Sequence, residues 1–295
     1  MDEQGAGRPV VAGVDGSKSS LEAARWAARE AQRRRAPLRL VTAVGWVDVP
    51  HQYGDPRTGP EVRKALLRQA GSYIADAAQP AATPDLEPEQ AVLDGFAIPR
   101  LLDESRTAQL VVIGDRGLGG VTGLLVGSVA FTLAAQGGCP VVVVRGRAAA
   151  AGAPVVVGVD GTPVSEAALA FAFEAAALRR APLLAVHAWR DVPLDPITWP
   201  WPYGEAVAQA ERAELGECLA GWREKYPDVE VQRLVVQDRA ARVLVEQSAR
   251  AQLVVVGSRG RGSVAGLVLG SVSHAVLHRA DCPVAIVRTD VDTTR

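Results

Sequence analysis

The 295-residue sequence has little cysteine, no excess of either charge and no apolar run long enough to cross a membrane. Cys139, Cys218 and Cys282 are too few and too scattered for a disulfide framework or a CxxC metal site, so we interpret them as buried thiols. A net charge of −1 offers no basic field for nucleic acid. The acidic start of the chain lacks the apolar core of a signal peptide. We therefore expect a cytoplasmic protein that binds neither nucleic acid nor membranes.

Two common phosphate-binding motifs are also missing. A Walker A loop needs a Gly-Lys pair followed by Ser or Thr, and the chain contains no Gly-Lys pair. A dinucleotide fingerprint needs GxGxxG, but after Gly117 and Gly119 the third glycine, Gly123, comes one position late. P-loop hydrolases and NAD enzymes are therefore disfavoured.

A different glycine pattern occurs twice. Gly114, Gly117 and the pair Gly127-Ser128 follow one apolar run, and the same spacing recurs in a second set: Gly257, Gly260, Gly270 and Ser271. Each set lies between a predicted strand and a predicted helix, where free backbone N–H groups and the positive helix end converge. Glycine lets an anion approach the backbone closely. The pattern indicates a nucleotide phosphate as the ligand.

The glycine pattern belongs to a longer internal repeat. The segment 10–16 matches the segment 155–161, at nearly the offset that separates the two glycine patterns. We predict one domain over 1–146, a linker over 147–153 and a second domain over 154–295. The linker is rich in alanine and has little to bury.

Each half alternates apolar runs with helical patterns, which predicts an α/β fold with a parallel sheet covered on both faces. The predicted strands of the first half are 9–14, 38–44, 89–93, 109–113 and 140–145, and its helices are 18–34, 60–78, 97–106 and 127–136. The second-half strands are 154–159, 182–188, 229–236, 252–256 and 283–288. Ser19 to Glu22 fits a capping box, and Thr162-Pro163 fits an N-cap followed by proline.

Asp15 and Asp160 end the first strand of each half. In a sheet of order 3-2-1-4-5, the crevice between strands 1 and 4 would hold the ligand, with the aspartate facing the glycine pattern. The carboxylate could accept hydrogen bonds from a ribose or an adenine amine. The alternative is a turn or N-cap residue.

These motifs resemble the ATP-binding branch of the universal stress protein family over both halves, as in the tandem members common in actinobacteria. The resemblance implies two Rossmann-like domains with five parallel strands in order 3-2-1-4-5, one ATP in each, and regulation of stress response, dormancy or growth. It implies that Asp15 and Asp160 meet adenine or ribose, and that Ala43 and Ala188 offer backbone groups to adenine. It implies that eight residues hold the phosphates and the ribose: Gly114, Gly117, Gly127, Ser128, Gly257, Gly260, Gly270 and Ser271. Mg²⁺ would accompany the ATP.

One position departs from the repeat. Asp115 follows the first glycine of the first pattern where Ser258 stands in the second. A carboxylate near a triphosphate costs affinity unless a cation or Arg116 offsets it. We therefore expect the second site to bind ATP more tightly, or the first to depend more on Mg²⁺.

Catalysis is not indicated, because phosphoryl transfer needs a positioned base and the sequence identifies none. The alternative function is a weak ATP hydrolase or nucleotidyl-transfer enzyme on the same fold. A ligand-free scaffold is disfavoured, because the glycines of both patterns have no packing reason that the sequence reveals.

Two further features concern metals and partners. His274 and His278 are four residues apart, but the equivalent first-half positions are Phe131 and Ala135 and no third ligand is evident, so we interpret them as solvated or interface residues. The last strand of each half is apolar without alternation, which favours pairing of an exposed edge. We predict that the two domains pair through these strands within one chain. We also expect a homodimer, formed through another surface, and regulatory protein partners.

Overall fold

The computed structural model describes residues 7–45, 58–118, 126–189, 203–261 and 269–289. The chain divides into two compact units, Met1–Val144 and Arg145–Arg295. Strands and helices alternate along each unit. Each unit is therefore an α/β domain with its own core, as the sequence predicts.

The first domain is built on a parallel sheet of five strands. Its elements are β1 (Val10–Gly13), α1 (Lys18–Arg34), β2 (Leu38–Val44), α2 (Thr58–Ala81), β3 (Glu89–Asp94), α3 (Ala97–Ser105), β4 (Leu110–Gly114), α4 (Ser128–Gln136) and β5 (Val141–Val144). The strand order is β3-β2-β1-β4-β5, and every neighbouring pair is parallel. Strands β1, β4 and β5 are almost entirely apolar and buried, because helices cover both faces of the sheet.

The second domain repeats this arrangement. Its elements are β6 (Val155–Gly158), α5 (Pro163–Arg179), β7 (Leu183–Trp189), α6 (Tyr203–Lys225), β8 (Val231–Gln237), α7 (Ala240–Ser248), β9 (Leu253–Gly257), α8 (Ser271–Arg279) and β10 (Val284–Val287). The order is β8-β7-β6-β9-β10, again with parallel neighbours. The predicted α/β fold and the order 3-2-1-4-5 are confirmed in both domains. The described helices include none with the length and apolar content needed to cross a membrane.

The starts of α1 and α5 test the predicted caps. Thr162 is the N-cap of α5, its side chain accepts from the amide of Ser165, and proline opens the helix, as predicted. The capping box at Ser19 is wrong, because Ser17 caps α1 and accepts from the amide of Ser20. The Ser17 hydroxyl also donates to the carbonyl of Arg116, 3.3 Å away. The cap thus connects the start of α1 to the glycine pattern, a contact between residues distant in sequence.

The segment between the two domains is bonded to the second one. The amide of Arg147 donates to the carbonyl of Asp281 at 2.8 Å, and the amide of Ala149 donates to the carbonyl of Ala251 at 3.1 Å. Gly146 has a φ of 55°, in the left-handed region that favours glycine. These bonds order the predicted linker locally; its proposed boundaries stay a prediction.

The cysteines behave as packed thiols. Cys282 is fully buried, while Cys139 and Cys218 are partly buried. Burial raises the pKa of Cys139 and of Cys282 to about 12. Both thiols are therefore protonated at neutral pH and are poor nucleophiles.

An aromatic cluster consolidates the second domain. Phe173 of α5 is fully buried, and its ring stacks on those of Trp222 and Tyr226 at centroid distances of 6.0 and 5.7 Å. These contacts join α5 to the end of α6 and the turn that follows it. The cluster therefore fixes the helix whose inner face borders the second cleft described below.

Candidate functional site

A cleft opens at the carboxyl ends of the central strands of the first domain. Its volume is about 370 Å³, within the range of small-molecule pockets. All six residues that the sequence singles out in this domain line it: Asp15, Ala43, Gly114, Gly117, Gly127 and Ser128. Strands β1 and β4 are neighbours in the sheet, and both end at this cleft. The predicted crevice between strands 1 and 4 is therefore present.

The second domain has a corresponding cleft of about 430 Å³. Its lining includes all six residues singled out in this half of the sequence: Asp160, Ala188, Gly257, Gly260, Gly270 and Ser271. Twelve residues scattered along the chain thus form two equivalent groups. What these groups bind stays a prediction.

Each aspartate bridges the glycine pattern to the start of the first helix of its domain. One carboxylate oxygen of Asp15 accepts from the amide of Ser17 at 3.0 Å, and the other accepts from the amide of Leu118 at 2.9 Å. Asp160 accepts from the amide of Thr162 at 3.1 Å and from that of Arg261 at 3.1 Å. Each aspartate therefore has the alternative role of a turn residue that the sequence left open. Each also lines the wall of its cleft.

Packing against the aspartates explains why two positions of the patterns are glycine. A Cβ atom added to Gly117 would lie closer than 3.0 Å to the Oδ2 atom of Asp15, and one added to Gly260 would lie equally close to Oδ2 of Asp160. The expectation that the glycine patterns lack a packing reason is therefore wrong for these two positions. It is also wrong for Gly114 and Gly257, where an added Cβ would lie closer than 3.0 Å to Ser19 and to Val164. Glycine lets the backbone approach the carboxylate, which then accepts the next amide along the chain.

The positive ends of two helices face the clefts. Gly127 and Gly270 are the N-caps of α4 and α8, and neither offers a side-chain cap to the first-turn amides. The amides of these glycines donate to the carbonyls of Asp115 and Ser258, each at 2.8 Å. These bonds hold the helix starts against the ends of β4 and β9. Free amides at a helix start, together with the helix dipole, favour an anion in each cleft.

Asp115, the residue that departs from the repeat, has partners of its own. Its carboxylate accepts from the hydroxyl of Ser19 at 2.7 Å and lies 3.4 Å from Nε of Arg116. The side chain is only 13% exposed. In the second domain the equivalent positions are Ser258, fully buried, and Val164. Asp115 and its partner Ser19 are thus both replaced in the second domain. In the first domain, Arg116 offsets part of the charge of Asp115.

The hydrogen bonds to Asp15 predict a pH dependence. Burial acts to raise the pKa of Asp15, but hydrogen bonds from Ser17, Leu118 and Ser20 outweigh it and hold the pKa below 3.8. A lowered folded-state pKa stabilises the fold above the unfolded-state pKa, and this contribution is lost as pH falls through the folded-state value.

We therefore expect Asp15→Asn to destabilise the first domain at pH 7 and to differ less and less from wild type below about pH 4. Urea unfolding at several pH values measures the difference, with the exposed Asp76→Asn as the control for loss of a surface charge. A difference between Asp15→Asn and wild type that stays constant from pH 7 to pH 3 would contradict this role.

Sequence reasoning missed several residues that line the clefts. Leu93, Ala97 and Leu101 complete an apolar wall in the first domain, and Ala240 and Leu244 do so in the second. An amphipathic helix gives no sign that its N-terminal turn borders a ligand cleft. The second cleft also contains His187 and Glu211. The sequence signal for His187 is a difference between the two halves of the repeat, because Thr42 occupies the equivalent position in the first half.

The pair His274 and His278 has no further metal ligand within the described ranges. The two rings lie 4.4 Å apart between centroids. Burial, His274, Arg145 and Arg279 lower the pKa of His278. The described His, Cys, Asp and Glu residues form one group of three or more that could hold an ion, and this pair is not in it.

Comparison with known proteins agrees with the duplicated fold. The model of the universal stress protein family matches residues 7–145 and again residues 153–288. Two universal stress proteins of Mycobacterium tuberculosis are 41% identical over 291 residues and 43% identical over 290 residues, each covering 95% of this chain and 96% of the relative. The crystal structure of a universal stress protein from Archaeoglobus fulgidus has a TM-score of 0.67 at 16% identity, covering 96% of this chain and 97% of that one. That last likeness concerns the fold alone.

Proposed function

The chain belongs to the universal stress protein family, and from that premise we propose that each of its two domains binds one ATP molecule. Binding then regulates stress response, dormancy or growth through an ATP-dependent conformation or choice of protein partner. The observation that carries the proposal is the convergence of six motif residues on one cleft in each domain.

The chemistry of each cleft suits the parts of ATP. The start of α4 or α8 and the glycine backbone offer amides to the phosphates. Ser128 and Ser271, the first residues of these helices, add a hydroxyl donor. Ala43 and Ala188, near the ends of β2 and β7, line the clefts together with the apolar walls, and their backbone groups would meet adenine. Mg²⁺ would offset the charge of the triphosphate.

Regulation follows from the bridge between the aspartate and the glycine pattern. Asp15 and Asp160 each accept an amide from the residue that follows Gly117 or Gly260. A ribose hydroxyl or adenine amine that donates to the same carboxylate would compete with that amide. ATP would therefore change the position of the glycine segment, and a ligand that binds one conformation better shifts the population toward it.

A turnover assay separates this proposal from the alternative of a weak ATP hydrolase or nucleotidyl-transfer enzyme. We expect full-length protein incubated with excess Mg·ATP to leave the nucleotide as ATP. Chromatography of the mixture measures ADP and AMP over time. Formation of many equivalents of either product per chain, abolished by Gly117→Ala and Gly260→Ala, would contradict the proposal and favour the enzyme.

The two sites should differ in their need for magnesium. We expect Asp115→Asn to strengthen ATP binding in the first domain at low Mg²⁺ by up to about fivefold, because about 1 kcal/mol of repulsion is removed while the acceptor for Ser19 remains. Isothermal titration in a chain whose second site is weakened by Gly260→Ala, fitted to two sites, measures the affinity of the first site. Equal affinities with and without the Asp115→Asn substitution, at low and high Mg²⁺, would show that Ser19 and Arg116 already neutralise the acid.

The homodimer, the regulatory partners and the cytoplasmic location stay predictions. Size-exclusion chromatography with light scattering, with and without Mg·ATP, tests the first of them. A dimer mass under both conditions is the expected result.

A further inference from the structure

Three metal-ligating side chains meet beside the second cleft. His187 of β7 lies next to Glu211 and Glu214 of α6, and one ligand atom from each residue lies within 4.8 Å of the other two. We refer to these three residues as the His-Glu-Glu cluster. It is the one such group that the described ranges contain.

We propose that the His-Glu-Glu cluster is a binding site for a divalent transition-metal ion, with Zn²⁺ preferred over Mg²⁺ and Mn²⁺. One imidazole and two carboxylates form a ligand set that suits Zn²⁺, whereas an all-oxygen set would favour Mg²⁺ or Ca²⁺. Water would complete the coordination. The inference rests on these side chains alone and does not depend on the proposed binding of ATP.

The orientation of His187 is the first argument. Its Nδ1 atom lies 2.9 Å from the backbone carbonyl of Val159, which can only accept, so Nδ1 must carry the proton. In the neutral imidazole this leaves the lone pair on Nε2. A backbone carbonyl that fixes the tautomer in this way is the usual outer-shell partner of a metal-ligating histidine.

The contact between His187 and Glu211 is the second argument. Nε2 lies 2.5 Å from Oε2 of Glu211, so a neutral imidazole and an ionised carboxylate would place two lone pairs against each other. A proton can be shared across this contact, and a metal ion bound there would take Nε2 and Oε2 as two of its ligands. The side chain of His187 is only 5% exposed, which keeps water from separating the pair. When a metal ion binds, it replaces that proton.

Charge and access also fit an ion. Glu211 and Glu214 bring two carboxylates together, and Glu214 forms an ion pair with Arg261. A divalent ion that replaces the proton between His187 and Glu211 adds one positive charge beside these two carboxylates, which attract it. The side chains of Glu211 and Glu214 are 21% and 38% exposed, so an ion can enter from solvent.

The first domain lacks the cluster and serves as an internal comparison. Thr42 occupies the position of His187 in the equivalent strand. Tyr73 lies against Gly16, whereas Glu214 and Arg261 lie against the equivalent Gly161. Both domains thus keep the motif residues of their clefts, but only the second, among the described residues, has metal-ligating side chains at the positions of this cluster.

Titration of the full-length protein with Zn²⁺ alone tests the proposal. After treatment with EDTA and removal of nucleotide, we expect one tight Zn²⁺ site per chain. His187→Gln, Glu211→Gln and Glu214→Gln should each weaken it by at least about tenfold, the lower limit even for loss of an outer-shell partner. Glu214→Gln carries the smallest folding risk, because that side chain is more exposed, and circular dichroism verifies the fold of each variant.

Control variants separate this site from other zinc ligands of the chain. His274→Ala, His278→Ala and Cys218→Ser should leave the tight site unchanged. Co²⁺ provides a second readout, because its visible absorption bands should appear in wild type and in the controls but not in the cluster variants. Absence of a tight site, or its loss in the controls while Glu211→Gln and Glu214→Gln retain it, would overturn the proposal.

Discussion

Gly117→Ala and Gly260→Ala are expected to weaken ATP binding about tenfold or more in the domain that carries the substitution, a loss of about 1.4 kcal/mol or more. The added methyl would lie closer than 3.0 Å to a carboxylate oxygen of Asp15 or Asp160. Either the carboxylate or the glycine segment must shift to make room, so the two no longer border the cleft in the arrangement that we propose for ATP binding. Isothermal titration with Mg·ATP, fitted to two sites, measures the effect.

Two other glycines provide matched controls for this substitution. Gly71 of α2 and Gly221 of α6 have no atom within 4 Å of an added Cβ. Alanine there should leave ATP binding unchanged and stabilise the helix by about 0.5–1 kcal/mol. Equal affinities for Gly117→Ala and Gly71→Ala would show that the close approach to Asp15 has no role in the site.

Phe173→Ala is expected to destabilise the second domain by about 3–5 kcal/mol, because a fully buried ring is replaced by a cavity. The stacking on Trp222 and Tyr226 is lost with it. For a domain of this size, the midpoint of its thermal transition should fall by roughly 10 °C. Differential scanning calorimetry of the full chain measures this transition.

The matched control is Phe96→Ala, at a position that is 58% exposed. It should change stability by less than about 1 kcal/mol, since most of its ring already contacts water. A fall of similar size for Phe96→Ala and Phe173→Ala would contradict the assignment of the aromatic cluster to the core.

The repeated strands could be predicted from the sequence because β1, β4 and β5 and their counterparts in the second domain are short apolar runs. Their order was implied by the resemblance to the universal stress protein family. Val141–Val144 and Val284–Val287, for example, are buried at every position. The cleft residues could also be predicted, since parallel strands β1 and β4 bring Asp15 and Gly114 to the same edge of the sheet.

The rest depends on contacts between residues distant in sequence. Ser17 rather than Ser19 caps α1, and Ser17 also donates to the carbonyl of Arg116 in the glycine pattern. Gly117 is needed against Asp15, a neighbour that local pattern does not reveal. The His-Glu-Glu cluster joins a strand to a helix that is separated from it in sequence by the segment 190–202. Neither hydrophobic periodicity nor motif spacing reveals such contacts.

The ligand of the two clefts can be identified by chromatography of the nucleotide released from freshly purified, denatured protein. We expect ATP, recovered at up to two molecules per chain and reduced by half in Gly117→Ala or Gly260→Ala. Addition of Mg·ATP should fill any vacant site. A chain that releases no nucleotide and binds none on addition of Mg·ATP would rule out ATP as the ligand, because the two clefts would then be structural features without it.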